Sequence, residues 1–112
     1  MEPSREIPIQ IEKSKILTII VSWNTKTLLR QCLESAQMCS KDLPLSVVVV
    51  DNGSNDGSAG MVENEFPECI LVRNQENVGF ARANNQVFRL FPQYPYYLLL
   101  NSDATVTAAV ID

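Results

Sequence analysis

Short apolar runs alternate along this chain with amphipathic stretches. Residues 16–21, Ile-Leu-Thr-Ile-Ile-Val, are β-branched and apolar on both faces, as a strand in the middle of a parallel sheet must be. Leu28, Leu29, Cys32, Leu33 and Ala36 then recur at helical spacing and predict a helix that Thr25 can cap. Residues 45–50 predict a second buried strand. It runs into Asp51-Asn52-Gly53-Ser54-Asn55-Asp56-Gly57, a concentration of turn formers that predicts a loop. A short helix is expected over residues 58–65, stopping at Pro67, then a third strand over 69–72 and a loop over 74–78. Phe80, Ala83, Val87 and Phe91 mark one side of a helix over 79–90. Pro92 and Pro95 bracket the turn into a fourth strand, 96–100, which ends at Asn101-Ser102-Asp103. Residues 1–14 carry Pro3 and Pro8 and no sustained period, so they read as a loose leader to a domain over 15–112.

Strand and helix thus alternate three times before a final strand. Right-handed helical crossovers between parallel strands are the expected solution, giving an α/β fold: an open, mostly parallel sheet with helices on both faces. Ligands of such sheets gather at the carboxyl ends of the strands. The polar clusters fall there: Ser22-Trp23-Asn24, residues 51–57, residues 74–79 and Asn101-Ser102-Asp103.

Composition narrows the chemistry. With 112 residues, 46% hydrophobic and 20% charged, the chain makes one globular core. Thirteen acidic against nine basic residues, a net charge of −4, argue against a nucleic-acid-coating protein. The absence of histidine excludes Ser-His-Asp and Cys-His catalysis and His-based zinc sites. Cys32, Cys39 and Cys69 form no C-x-x-C pair and read as ordinary thiols of a reducing compartment. The amino-terminal residues lack the order of a signal peptide, and no apolar run approaches the ~20 residues of a membrane span. The expectation is a cytoplasmic chain.

The familiar phosphate cradles are missing: the first turn reads SWNTKT, with no G-x-G-x-x-G, and there is no P-loop. A calcium-loop pattern beginning at Asn52 lacks its first carboxylate and follows four valines that favour a strand. The sequon Asn52-Gly53-Ser54 has little meaning without a secretory signal. What remains is Asp51 after the second strand and Asp103 after the fourth. Each alone reads equally well as a turn former or cap. Together at one sheet edge they are more specific. One aspartate can accept from a ring N–H of a pyrimidine, and the other can hold a divalent cation whose remaining positions a diphosphate fills. That cation supplies the positive charge an acidic chain lacks.

Four motifs in order carry a resemblance: Ile19-Ile20-Val21-Ser22-Trp23-Asn24; Val49-Val50-Asp51-Asn52-Gly53-Ser54-Asn55-Asp56-Gly57-Ser58; Asn77-Val78-Gly79-Phe80-Ala81-Arg82-Ala83-Asn84-Asn85; and Leu98-Leu99-Leu100-Asn101-Ser102-Asp103. Over residues 15–112 the chain resembles the amino-terminal, nucleotide-binding half of a family 2 glycosyltransferase of GT-A fold, a truncated Rossmann-like sheet, of the rhamnosyltransferase type. The resemblance implies that Ser22, Trp23 and Asn24 line the nucleotide pocket and that Asp51 binds the base. It implies that the Asn77–Gly79 turn passes close to the donor, with Asn84 or Asn85 bracing the site. Asn101 and Ser102 would flank the donor, and Asp103 would ligate Mn²⁺ or Mg²⁺. The implied partners are a UDP- or dTDP-linked sugar and a glycan or lipid-linked acceptor, in polysaccharide biosynthesis.

Two departures accompany the resemblance. The D-x-D position reads Asn101-Ser102-Asp103, with one carboxylate instead of two. Inverting transfer needs a carboxylate base within hydrogen-bond reach of the acceptor hydroxyl, and no residue here matches the family's. It is expected beyond Asp112, so that the chain alone is an inactive donor domain, prone to self-association through uncovered apolar surface. A non-catalytic nucleotide-binding module and a truncated remnant are the competing readings.

Overall fold

The computed structural model describes residues 16–39 and 46–103, with the side chain of Cys39 excepted. The expected leader, Leu45 and everything after Asp103 lie outside the described residues. Seven elements follow one another: β1 (Ile16–Ser22), α1 (Lys26–Cys39), β2 (Ser46–Asn52), α2 (Ser58–Glu65), β3 (Ile70–Asn74), α3 (Phe80–Leu90) and β4 (Tyr96–Asn101). The four strands form one sheet in the order β3-β2-β1-β4, and every pairing is parallel. β1 is therefore central, as its two-sided apolar run requires.

Strand alternation divides the core into two layers. On one face Ile20 and Val49 pack with Leu29, Cys32 and Leu33 of α1 and with Met61 and Val62 of α2. On the other, Leu17, Ile19, Val48 and Val50 pack with Ala83 and Val87 of α3. An exposed two-pronged ion pair from Arg30 to Glu65 ties α1 to α2 across the first layer.

Several details differ from the expectation. β3 starts at Ile70 rather than Cys69 and runs on to Asn74, the first residue of the expected loop. β2 takes in Asp51 and Asn52 before it ends. Leu28 is exposed, because the buried stripe of α1 is Leu29, Cys32, Leu33 and Ala36 and Leu28 lies beyond its flank. Phe80 is also exposed. It opens α3, where a side chain tilts toward the helix start and so past the end of the sheet. The apolar run of β4 occupies a sheet edge, which leaves Tyr96 61% exposed and Leu99 uncovered, while Tyr97 packs edge-on against Phe88. Cys32 and Cys69 are free thiols. Burial, helped at Cys32 by the charge of Asp103 and at Cys69 by Glu68, pushes both up to about 11 and leaves them unreactive.

Candidate functional site

Because all four strands are parallel, Ser22, Asp51–Asn52, Asn74 and Asn101 end at the same edge of the sheet, and the four polar clusters meet there. Ser22 and Asp51 are register partners on β1 and β2, both buried, and alternation turns both toward the α1 side. Asp51 is 3% exposed. Its Oδ2 accepts the backbone N–H of Ser54, closing the turn. Its Oδ1 is buried and has no hydrogen-bond partner among the described residues. A buried carboxylate oxygen without a partner costs free energy that a turn former has no reason to incur, since a single oxygen would close the same turn.

The turn after β1 is locked to the loop after β2. Asn24 adopts a left-handed conformation (φ 53°). Its N–H donates to Ser54 Oγ at 2.8 Å, and its side-chain oxygen accepts the N–H of Asn55 at 2.9 Å. Asp56 closes the join from the other side. Its Oδ2 accepts the N–H of Lys26 at 3.0 Å, and its Oδ1 accepts the N–H and hydroxyl of Ser58. One carboxylate thus satisfies the first turns of both α1 and α2. Burial tends to raise the Asp56 carboxyl, but these hydrogen bonds outweigh it and hold it below its ordinary value. Thr25 was expected to cap α1. The cap comes instead from Asp56, and the Thr25 hydroxyl lies 3.1 Å from Ser22 Oγ and 2.9 Å from Ser102 Oγ. That chain of three hydroxyls joins the end of β1 to the Asn101-Ser102-Asp103 turn.

On the α3 side an amide network sets the loop after β3. Asn52 donates to the carbonyl of Gly79 and accepts from Asn74 and from the N–H of Val78. Asn74 and Gln86 exchange two hydrogen bonds at 2.9 Å. Asn77 accepts the N–H of Gly79, whose φ of 90° suits glycine. Gly53 lies so close to the backbone of Glu76 that a Cβ would stand 2.8 Å from its Cα, so the loops after β2 and β3 touch.

The sequence-derived residues therefore divide. Ser22, Asn24, Asp51 and Ser102 belong to one hydrogen-bonded assembly, and Asn77 and Gly79 join it through Asn52. Trp23 stands 53% exposed, and Asn101 and Asp103 are exposed at the end of β4. Asn84 is buried, with its amide nitrogen bonded to the carbonyl of Phe80 and its Oδ1 without a partner among the described residues. Asn85 points away and lines a separate cleft with Arg82 and Arg89. Sequence reading gave no role to Asn52, Asn74 or Gln86. Strand alternation could have found Asn52, which shares a face with Val48 and Val50.

Among the described residues no three His, Cys, Asp or Glu side chains converge as a metal cage, and no helix is long and apolar enough to cross a membrane. Asp103 with Asn101 and Ser102 offers hard oxygen donors around one carboxylate. That set fits a hard divalent cation that shares its coordination with phosphate and does not fit a closed all-protein site.

Residues 18–111 match Glycosyl transferase family 2. The chain belongs to this family. The family 2 chain is 38% identical over 78 residues to a Bacillus subtilis (strain 168) protein described as the uncharacterized glycosyltransferase YfnE. That stretch is 67% of this chain and 20% of the relative. Among solved structures, TarS 1–349 of S. aureus overlays with a TM-score of 0.72 at 21% identity, over 87% of this chain and 30% of TarS. The mannosyltransferase PcManGT of Pyrobaculum calidifontis, in complex with GDP-Man and Mn²⁺, overlays with a TM-score of 0.71 at 24% identity, over 87% and 30%. A further TarS 1–349 structure contains UDP-GlcNAc, at TM-score 0.72 and 22% identity. The shared feature is the fold, that of the GT-A glycosyltransferases. The family 2 chain spans about a fifth of the curated relative's length and about three tenths of these structures.

Proposed function

We propose that the carboxyl edge of this sheet binds the nucleotide diphosphate of a sugar donor, as the donor half of an inverting glycosyltransferase. The observation that carries the proposal is Asp51: a carboxylate at the carboxyl edge of the sheet with one oxygen in its turn and the other without a partner among the described residues. Trp23 supplies an exposed ring at the mouth, and Ser22 and Asn24 hold the turn that frames the pocket. Asn77 and Gly79 form the opposing wall. Asn84 is the brace under this reading, and its free Oδ1 is a second acceptor in need of a donor. Asn101 and Ser102 flank the diphosphate, and Asp103 is the ligand for Mn²⁺ or Mg²⁺. When bound, the cation neutralises charge that develops on the departing diphosphate. That the solved neighbours hold UDP-GlcNAc and GDP-Man supports a nucleotide-sugar ligand. The rhamnosyltransferase-like wording of the motifs favours a UDP- or dTDP-linked donor, a glycan or lipid-linked acceptor, and polysaccharide assembly in the cytoplasm.

The test is calorimetric titration of UDP and dTDP with Mn²⁺ into the parent chain and Asp51→Asn. Losing a charged hydrogen bond to a base N–H weakens binding by ~1–3 kcal/mol. Equal affinity of parent and variant for both nucleotides overturns the assignment. Saturable binding without sugar transfer in an assay on the same sample is the outcome expected of a donor half without its general base, and transfer that stays absent when the acceptor half is supplied marks the chain as a binding module, the competing reading.

A further inference from the structure

We propose that the outer side of α3 carries a second anion site, distinct from the donor crevice, in which Arg82 and Arg89 hold a phosphate group. The two arginines are seven positions apart, two helical turns and about 10 Å along the axis, so both lie on one side of the helix. That side faces away from the sheet, against which Ala83, Asn84 and Val87 are buried. Between them is a cleft of about 220 Å³, lined by Val78, Arg82, Asn85, Gln86 and Arg89. The cleft is open to solvent and has room for a phosphate or diphosphate.

Charge supports the assignment. Arg30 pairs with Glu65 and Arg73 with Glu63, whereas neither Arg82 nor Arg89 has an ion-pair partner among the described residues. From Asn77 to Ser102 the sequence holds these two arginines and no carboxylate, in a chain whose net charge is −4. The guanidinium fork matches phosphate oxygens in pairs, and the amide of Asn85 is free among the described residues to add a donor. Gln86 is held from beneath by its double hydrogen bond to Asn74, so the wall of the cleft is fixed before any ligand arrives. The site does not rest on the donor reading, in which neither arginine takes part.

The phosphate can be free or part of a lipid headgroup, and the experiment separates the two. The full chain is titrated with inorganic pyrophosphate in low salt and EDTA, and in parallel is sedimented with phosphatidylglycerol and phosphatidylcholine vesicles. Parent and the double variant Arg82→Gln, Arg89→Gln are compared, with circular dichroism to show that both fold. Saturable pyrophosphate binding that weakens about tenfold or more in the double variant supports a site for free phosphate. Sedimentation with the anionic vesicles alone, lost in the double variant, supports a headgroup site. Absence of both, or binding that the double variant retains, overturns the proposal. UDP titrated with Mn²⁺ is the control: its loss in the parent overturns the donor reading and leaves this one standing.

Discussion

The hydroxyls of Thr25 and Ser102 stand 2.9 Å apart although 77 positions separate them in the sequence. Through Ser22 they connect the start of the first crossover to the turn that carries Asp103. Thr25→Val keeps the shape and removes the hydroxyl, leaving two serines short of a partner in a part-buried place. Stability falls by about 1 kcal/mol, read as a lower urea midpoint, and Thr25→Ser restores it. An unchanged midpoint in the valine variant means that the three hydroxyls contribute nothing to the fold.

Asp56 makes stability depend on pH in a defined direction. Its folded pKa lies below the ordinary 3.8, so the folded state binds fewer protons than the unfolded chain in the acid range. The contribution is complete above 3.8 and is lost as pH falls through the lower folded value. Asp56→Ala removes the cap of two helices and costs about 1–2 kcal/mol at neutral pH. Urea unfolding of parent and variant from pH 6 downward checks this. The gap between their midpoints closes at low pH, and a gap that is constant or widens contradicts the role.

Two glycines respond in opposite directions. Gly53→Ala forces a side chain into φ 79° with a Cβ 2.8 Å from backbone, and destabilises by about 2 kcal/mol or more. Gly60 lies inside α2 with nothing within 4 Å of its missing Cβ. Gly60→Ala stabilises by about 0.5–1 kcal/mol. Thermal unfolding of both variants is the measurement: a Gly53→Ala midpoint that does not fall refutes the loop contact as drawn, and a Gly60→Ala midpoint that does not rise refutes the open helical position.

Under the proposed donor reading, Asp103 binds metal only in company. A single exposed carboxylate is too little for tight binding alone, so Mn²⁺ enhances water-proton relaxation only when UDP is also present. Asp103→Ala abolishes the enhancement. Tight Mn²⁺ binding without nucleotide, insensitive to the substitution, argues for another site.

Hydrophobic pattern alone was enough to locate all seven elements, because each strand is buried on both faces or bounded by turn formers. Its errors fall where the pattern is silent. Leu28 and Phe80 match a helical stripe by spacing, yet Leu28 falls beyond the flank of the buried stripe and Phe80 past the end of the sheet. The site was legible as clusters of polar residues at strand ends. What the residues do to one another was not: Asp56 reaches back to Lys26 and Thr25 across to Ser102, and contacts between distant segments leave no local signal. Asn84 and Asn85 illustrate the same limit, being adjacent in sequence yet placed by the helical turn in different environments.

The position of β4 imposes an order on folding. It pairs with β1 and with no other described strand, and β1 meets β2 much earlier in the chain. At about 5–20 residues per second, a ribosome needs roughly 2–10 s to make the 49 positions from Asn52, the end of β2, to Asn101, the end of β4. For that interval β1 has one edge satisfied by β2 and one edge bare, and its Ile and Leu side chains are covered from one direction. The nascent three-stranded unit is therefore the species most exposed to strand capture by another chain, and arrival of β4 ends the exposure.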